Sequence, residues 1–262
     1  MSSLTVTLIQ TDLAWENKSA NLDMLRQKIE GLSQRTEIII LPEMFNTGFS
    51  MNVKELAEPM HGQTMQWMKE TASGNKVIIT GSLIIYENDH YFNRLVWMLP
   101  NGKYGVYDKR HLFSYANEHR YFHAGNRKLI ASVKGWKINL QICYDLRFPL
   151  WARQPVDTQN RYDVLINVAN WPQNRRIAWN TLLRARAIEN QAYVVGVNRV
   201  GEDANKIIYK GDSTIIDPMG EIVYCQSQQE DVFTYTLQKE NIDKPRARFP
   251  FLDDADPYLI TE

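Results

Sequence analysis

Residues 37–41 and 163–168 are apolar almost throughout, too short for helices, and each gives way to an irregular polar segment. Runs of this kind are strands whose two faces are both covered, which points to parallel sheets flanked by helices. The rest of the chain supports that reading. Residues 4–10 alternate as a strand, and 17–32 carry Leu22, Leu25 and Ile29 at helical spacing with Gly31 as a stop. A weaker amphipathic helix covers 63–72, strands cover 76–86, 91–99 and 103–107, and Pro100-Asn101-Gly102 forms a tight turn. In the second half, 136–142 is a strand and a short helix follows Pro149. The best helix is 175–190, with Ile177, Thr181, Leu182, Ala185 and Ile188 expected as its apolar face. Strands at 192–198, 211–217 and 221–224 surround Pro218-Met219-Gly220, and 231–237 closes the sheet.

The order strand, helix, strand, helix, then strands around a Pro-x-Gly turn thus occurs twice, without any residue-level repeat. Two mixed sheets with helices on one face each would stack on their bare faces. The expected fold class is α/β, a four-layer α-β-β-α sandwich over residues 1–238. The tail 239–262, with Pro245, Arg246, Arg248, Pro250 and Pro257, lacks a strong period and is expected to lie over the surface or over a partner subunit.

Thirty basic and thirty acidic residues cancel, and no basic block marks a nucleic-acid surface. No apolar run approaches the ~20 residues of a membrane span, and the N-terminus lacks a signal-peptide core. The two cysteines, Cys143 and Cys225, cannot form a disulfide framework. These features together predict a cytoplasmic protein.

Polar residues cluster where strands end. Glu43, Lys109, Cys143 and Asn170 each follow a strand, and ligand crevices lie outside the carboxyl ends of parallel strands. Cys143 caps the run Ile138-Asn139-Leu140-Gln141-Ile142, which breaks into a turn with Asp145, Arg147 and Pro149. A thiol there, beside N–H groups entering a helix, is placed where a thiolate would be stabilised. A small buried core residue is the alternative, and the turn argues against full burial.

Several chemistries are absent: no G-x-S-x-G elbow, no Walker A loop, no G-x-G-x-x-G and no C-x-x-C. His119 and His123 have helical spacing for a metal, but Arg120 stands where the zincin pattern needs Glu, so no metal is expected. Cys225 reads as a strand residue. Pairing Glu43 with Glu118 for glycoside cleavage would leave Lys109 and Cys143 without a role. A Cys–Lys–Glu set gives each a role: thiol nucleophile, carboxylate base, and ammonium to offset an oxyanion that the Tyr144 N–H also serves. Taken singly, Glu43 could cap a helix near Phe45, and Lys109 could belong to a solvated cluster with Asp108 and Arg110.

Three segments carry a resemblance: Leu41-Pro42-Glu43-Met44-Phe45, Tyr107-Asp108-Lys109-Arg110-His111-Leu112-Phe113 and Ile142-Cys143-Tyr144-Asp145-Leu146-Arg147-Phe148-Pro149. In order and spacing they resemble the signature segments of the nitrilase (carbon–nitrogen hydrolase) superfamily, over nearly the whole chain. The resemblance implies Glu43 as general base, Lys109 as oxyanion stabiliser, Cys143 as nucleophile and Glu118 as a second glutamate. It also implies an α-β-β-α fold whose sheets and helices extend across a homodimer. Asn117-Glu118-His119, Asn170-Trp171-Pro172 and the run Arg184-Ala185-Arg186-Ala187-Ile188-Glu189-Asn190-Gln191 are similar to the omega-amidase branch. That likeness implies hydrolysis of the distal amide of small 2-oxo acid amides, such as 2-oxoglutaramate and 2-oxosuccinamate, without cofactor. Phe113, Tyr115, Tyr144, Asn170 and Trp171 are expected around the substrate. Arg147 is available for a small anionic substrate, its alternative being a structural ion pair.

Overall fold

A computed structural model describes residues 2–260 of the 262. Its first sheet has six strands in the order β13-β1-β2-β3-β4-β5. These are β1 (Ser3–Gln10), β2 (Ile38–Ile40), β3 (Ile78–Glu87), β4 (His90–Met98), β5 (Tyr104–Asp108) and β13 (Asp231–Gln238). The second sheet runs β10-β11-β9-β8-β7-β6, with β12 beside β11. Its strands are β6 (Ile130–Val133), β7 (Trp136–Ile142), β8 (Val164–Val168), β9 (Tyr193–Val197), β10 (Val200–Glu202), β11 (Ile208–Ile216) and β12 (Ile222–Ser227). β1-β2-β3 and β7-β8-β9 are the parallel cores, and antiparallel strands flank each.

The short apolar strands serve two layers at once. Ile38 and Ile40 enter the core between the sheets with Leu140, Ile142, Ile166 and Val168. Ile39, pointing the other way as strand pleating requires, meets Leu22, Leu25 and Ile29 of α1 (Lys18–Glu30) and Met65 and Met68 of α3 (Gln63–Asn75). On the opposite side Leu165, Val194 and Ile216 pack against Trp179, Leu183 and Ala187 of α5 (Arg176–Asn190). Helix, sheet, sheet, helix is the four-layer order the sequence pattern implied. Two short helices, α2 (Val53–Leu56) and α4 (Pro149–Ala152), complete the connections.

Three features differ from expectation. The inward face of α5 holds Trp179, Leu183, Arg186, Ala187 and Asn190, whereas Ile177 and Ile188 are 81% and 50% exposed. Buried polar residues misled the apolar count: the Arg186 guanidinium donates to the Leu146 carbonyl at 2.7 Å, so it can occupy the inner face. Secondly, β13 does not close the second sheet but pairs with β1 of the first along eight residues. Thr5 and Thr7 meet Thr236 and Thr234 across that seam at 3.0 and 2.8 Å. Thirdly, the tail begins with a helix, α6 (Glu240–Arg248), which contains Pro245 and buries Ile242 in the inter-sheet core. One apolar anchor and an internal proline leave too little periodicity to read. Beyond α6, Leu252 is buried, Arg161 pairs with Asp253 at 2.8 Å, and the Tyr258 hydroxyl donates to the Arg153 carbonyl at 2.8 Å. No described helix is long and apolar enough to cross a membrane.

The orientation of α5 predicts a contrast. Leu183→Ala should lower unfolding stability by about 2–5 kcal/mol, while Ile177→Ala, measured where the protein is monomeric, should change it by no more than about 0.5 kcal/mol. Urea denaturation of both variants checks this, and equal losses would contradict the assigned face.

Candidate active site

The carboxyl ends of β2, β5, β7 and β8 open on one side of the sandwich. Two antiparallel steps, β3 to β4 and β4 to β5, restore the strand direction, so Lys109 emerges beside Glu43. Both sheets contribute. Glu43 and Lys109 come from the first, Cys143 and Asn170 from the second.

Lys109 is fully buried, and its ammonium donates to Glu43 Oε1 at 2.8 Å and to both Glu118 oxygens at 3.0 and 2.9 Å. Burial alone would lower its affinity for the proton, but the two carboxylates outweigh that and hold the ammonium above its ordinary range. Glu118, on a 3₁₀ turn at Glu118–Arg120, also accepts the Phe113 N–H at 2.6 Å. Its carboxyl is pushed up by burial and by Glu43 against the downward pull of Lys109. The Asn170 N–H donates to Glu43 Oε2 at 2.8 Å, and the Asn170 amide donates to the Glu43 carbonyl at 2.5 Å. Neither the helix-cap alternative for Glu43 nor the solvated-cluster alternative for Lys109 survives this burial.

The Cys143 thiol lies close enough to the Glu43 carboxylate to feel its charge. Burial and Glu43 push it well above the usual thiol range, Lys109 pulls it down, and Glu118 pushes it up again. Ionising Cys143 would set a third anion against one ammonium in a buried space, which opposes the thiolate stabilisation expected at the turn. Cys143 nonetheless stays partly exposed and lines the cavity.

Backbone geometry aims these groups. Cys143 and Met44 both adopt positive φ, +45° and +44°, a region costly for non-glycine residues unless neighbours enforce it. Met44 is held by its N–H to Ser82 Oγ at 2.9 Å. The Cys143 turn is held by buried Asp145, which accepts from the Tyr107 hydroxyl (2.6 Å), the His111 N–H (2.9 Å) and the Ile142 N–H (3.1 Å). The Trp151 indole N–H in turn donates to the Tyr107 hydroxyl at 2.8 Å. Asp145 thereby fastens the segment after Lys109 to the segment bearing Cys143. Gly125 lies against the same strand end: its N–H donates to the Lys109 carbonyl at 3.0 Å, and a Cβ there would come within 2.2 Å of the Asp108 carbonyl oxygen.

A cavity of about 620 Å³ opens onto the thiol, and its wall includes Phe113, Tyr115, Tyr144, Arg147, Asn170 and Trp171, all six of the proposed substrate residues. Tyr115 stands at the mouth, 84% exposed. The ion-pair alternative for Arg147 fails: among the described residues its guanidinium meets only the Trp171 ring, 5.1 Å from the centroid. His123 stacks on His90 at 4.4 Å, and Cys225 is an exposed residue of β12. Sequence reasoning missed Asn93, whose amide donates to Glu43 at 2.8 Å and to Glu118 at 3.1 Å. Its signal was a lone amide inside Phe92-Asn93-Arg94-Leu95-Val96-Trp97, where a half-exposed strand would tolerate it equally. Phe49, whose ring faces the Lys109 ammonium at 5.2 Å, and Arg175 were missed as well.

The carbon–nitrogen hydrolase family model matches residues 5–247. This chain belongs to the carbon–nitrogen hydrolase (nitrilase) superfamily. Within it the chain groups with the omega-amidase branch. It is 42% identical to omega-amidase YafV of Yersinia enterocolitica, covering 99% of this chain and all of that relative. It is 32% identical to the 2-oxoglutaramate amidase of Bacillus subtilis, covering 95% of this chain and 96% of that one. Among solved structures, the carbon–nitrogen hydrolase superfamily protein XC1258 of Xanthomonas campestris superposes with a TM-score of 0.97 over the full length of both chains at 41% identity. The protein is thus a carbon–nitrogen hydrolase of the amidase kind, with the mixed α/β sandwich of that superfamily.

The charge balance around the thiol predicts the behaviour of Glu43→Gln in a Cys225→Ser background. Removing that carboxylate takes away a nearby negative charge, so the thiol should ionise at lower pH. The pH midpoint for alkylation of Cys143 by iodoacetamide should fall below the parent's. A higher midpoint would refute the arrangement.

Proposed function

We propose that the protein hydrolyses the distal amide of small 2-oxo dicarboxylic acid monoamides, with 2-oxoglutaramate and 2-oxosuccinamate as substrates, through a cysteine thioester. The observation that carries this reading is the buried contact set in which Lys109 bridges Glu43 and Glu118, with Cys143 lining the same cavity as Lys109. The matched relatives named for omega-amidase and 2-oxoglutaramate amidase activity supply the substrate class.

The geometry supports one set of roles. Glu43 removes the thiol proton as sulfur attacks the amide carbon, which avoids a free thiolate beside two carboxylates. The carbonyl oxygen becomes an oxyanion, met by the Lys109 ammonium and the Tyr144 N–H. The tetrahedral adduct collapses with cleavage of the C–N bond, and nitrogen takes the proton from Glu43 and leaves as ammonia. Water then gives a proton to Glu43 and attacks the thioester. The C–S bond breaks, the acid departs, and sulfur regains its proton. Glu118 and Asn93 act through Lys109 and Glu43 by holding them in register. Arg147 provides the cation for the substrate carboxylate. These steps draw on the chain's own side chains and water.

A homodimer is part of this reading. Ile177 and Ile188 of α5, with Met219 and Ile222 of the adjoining hairpin, are each at least half exposed. Gly220 sits so close to Ile188 that a Cβ would meet its side chain at 2.6 Å, so the hairpin turn lies against α5 at Ile188. Soluble monomers rarely leave a large apolar face uncovered. A reducing cytoplasm suits a free thiol nucleophile and the exposed Cys225.

Ammonia release decides the chemistry. With 2-oxoglutaramate, 2-oxosuccinamate, a carbamoyl amine and a simple nitrile as substrates, release should be confined to the 2-oxo amides. Cys143→Ala should fold normally and lose essentially all turnover. Release only from a carbamoyl amine or a nitrile would assign a different substrate class, and a fully active Cys143→Ala would end the thioester mechanism. For the dimer, sedimentation of the Ile177→Asp, Ile188→Asp double variant should show monomers where the parent shows dimers.

A further inference from the structure

Two guanidinium groups line the same cavity without a carboxylate paired to either. Arg147 leaves the 3₁₀ turn that starts at Cys143 and lies over Trp171. Arg175 ends the 3₁₀ turn after Pro172. Its guanidinium lies 5.1 Å from the Phe113 ring centre and 6.0 Å from that of Tyr115. Trp171 links the two, since its indole N–H donates to the Arg175 carbonyl at 2.8 Å. Among the described residues neither guanidinium forms an ion pair. The next residue is the contrast: Arg176 makes a bidentate pair with Asp212 at 2.9 and 3.0 Å. Two carboxylates do reach the cavity wall, but each is engaged by its own donors. Glu16 accepts from the Ser50 hydroxyl at 2.5 Å and the Asn52 amide at 3.4 Å. Asp203 accepts the N–H groups of Asn205 (2.8 Å) and Ile207 (3.0 Å) and the Tyr209 hydroxyl (2.9 Å).

Aromatic faces hold a guanidinium in place without consuming its in-plane donors. Both forks are therefore preset for an anion and uncompensated until one arrives. A 2-oxo acid head is planar and offers only acceptors, two carboxylate oxygens and one oxo oxygen. A guanidinium fork matches a carboxylate with two parallel hydrogen bonds, and a second cation can serve the oxo oxygen. A 2-amino acid head replaces that acceptor with an ammonium, which would face two guanidiniums and donate where only donors wait. Resting on the amidase reading above, we propose that Arg175, gripping the oxo-acid head jointly with Arg147, is the residue that makes this site take 2-oxo acid amides and reject 2-amino acid amides. Discrimination then comes as much from repelling the amino acid as from attracting the oxo acid.

The test compares the parent, Arg175→Gln, Arg175→Lys and Arg147→Gln on 2-oxoglutaramate, glutamine and pentanamide, an amide of the same length without a head group. In Arg175→Gln the kcat/KM ratio of 2-oxoglutaramate to pentanamide should fall at least about tenfold, the loss of one charge-assisted pair, and mainly through KM. The ratio of 2-oxoglutaramate to glutamine should fall as well. Arg175→Lys, which keeps the charge without the fork, should recover part of both. Unchanged ratios, or equal losses on all three amides, would overturn the proposal by showing a structural role. If the parent hydrolyses none of these amides, the amidase reading is what fails, and Arg175 is judged by calorimetric binding of 2-oxoglutarate and glutamate to the Cys143→Ala protein. At least a tenfold weaker grip on 2-oxoglutarate after adding Arg175→Gln, with no such loss for glutamate, supports the assignment. Equal affinities with and without Arg175 overturn it.

Discussion

A single buried ammonium organises this protein. Lys109 has no exposed surface, and its three donors are spent on Glu43 and Glu118. A lone buried cation would be expelled or neutralised, and a pair of buried carboxylates would repel each other. Together they are tolerable, and only at one geometry. That requirement ties β2, β5 and the loop bearing Glu118 into one rigid cluster, and Asn93 and Asn170 fill the hydrogen-bonding positions that remain.

The same cluster sets the state of the nucleophile. One ammonium against two carboxyls opposes a third anion, which pushes the Cys143 thiol above its usual range. The two positive-φ residues, Met44 and Cys143, mark where the backbone is bent to bring base and nucleophile from different sheets within reach. The Asp145 hub keeps that bend from relaxing.

Much of this was legible in the chain. Short apolar strands, each ending in a polar residue, gave the parallel cores, the four layers and the side on which the site would lie. Cys143, Lys109, Glu43 and Glu118 stand out because strand-end chemistry and motif spacing are local properties. The inner face of α5 was misread because Arg186 and Asn190 are buried through hydrogen bonds to distant backbone and side chains, and their polarity hides that. The pairing of β13 with β1 spans more than two hundred residues, and no local pattern encodes a partner that remote.

The sequence by itself determined the alternation of elements, the superfamily and the four groups that gather at the site, because each rests on periodicity or on residues close together in the chain. The tertiary structure alone decided the charge balance around Cys143, the bridging place of Asn93, and the presence of Arg147 and Arg175 on one cavity. Those outcomes depend on burial and on summed charges from both sheets, and such sums exist only once the sheets have stacked.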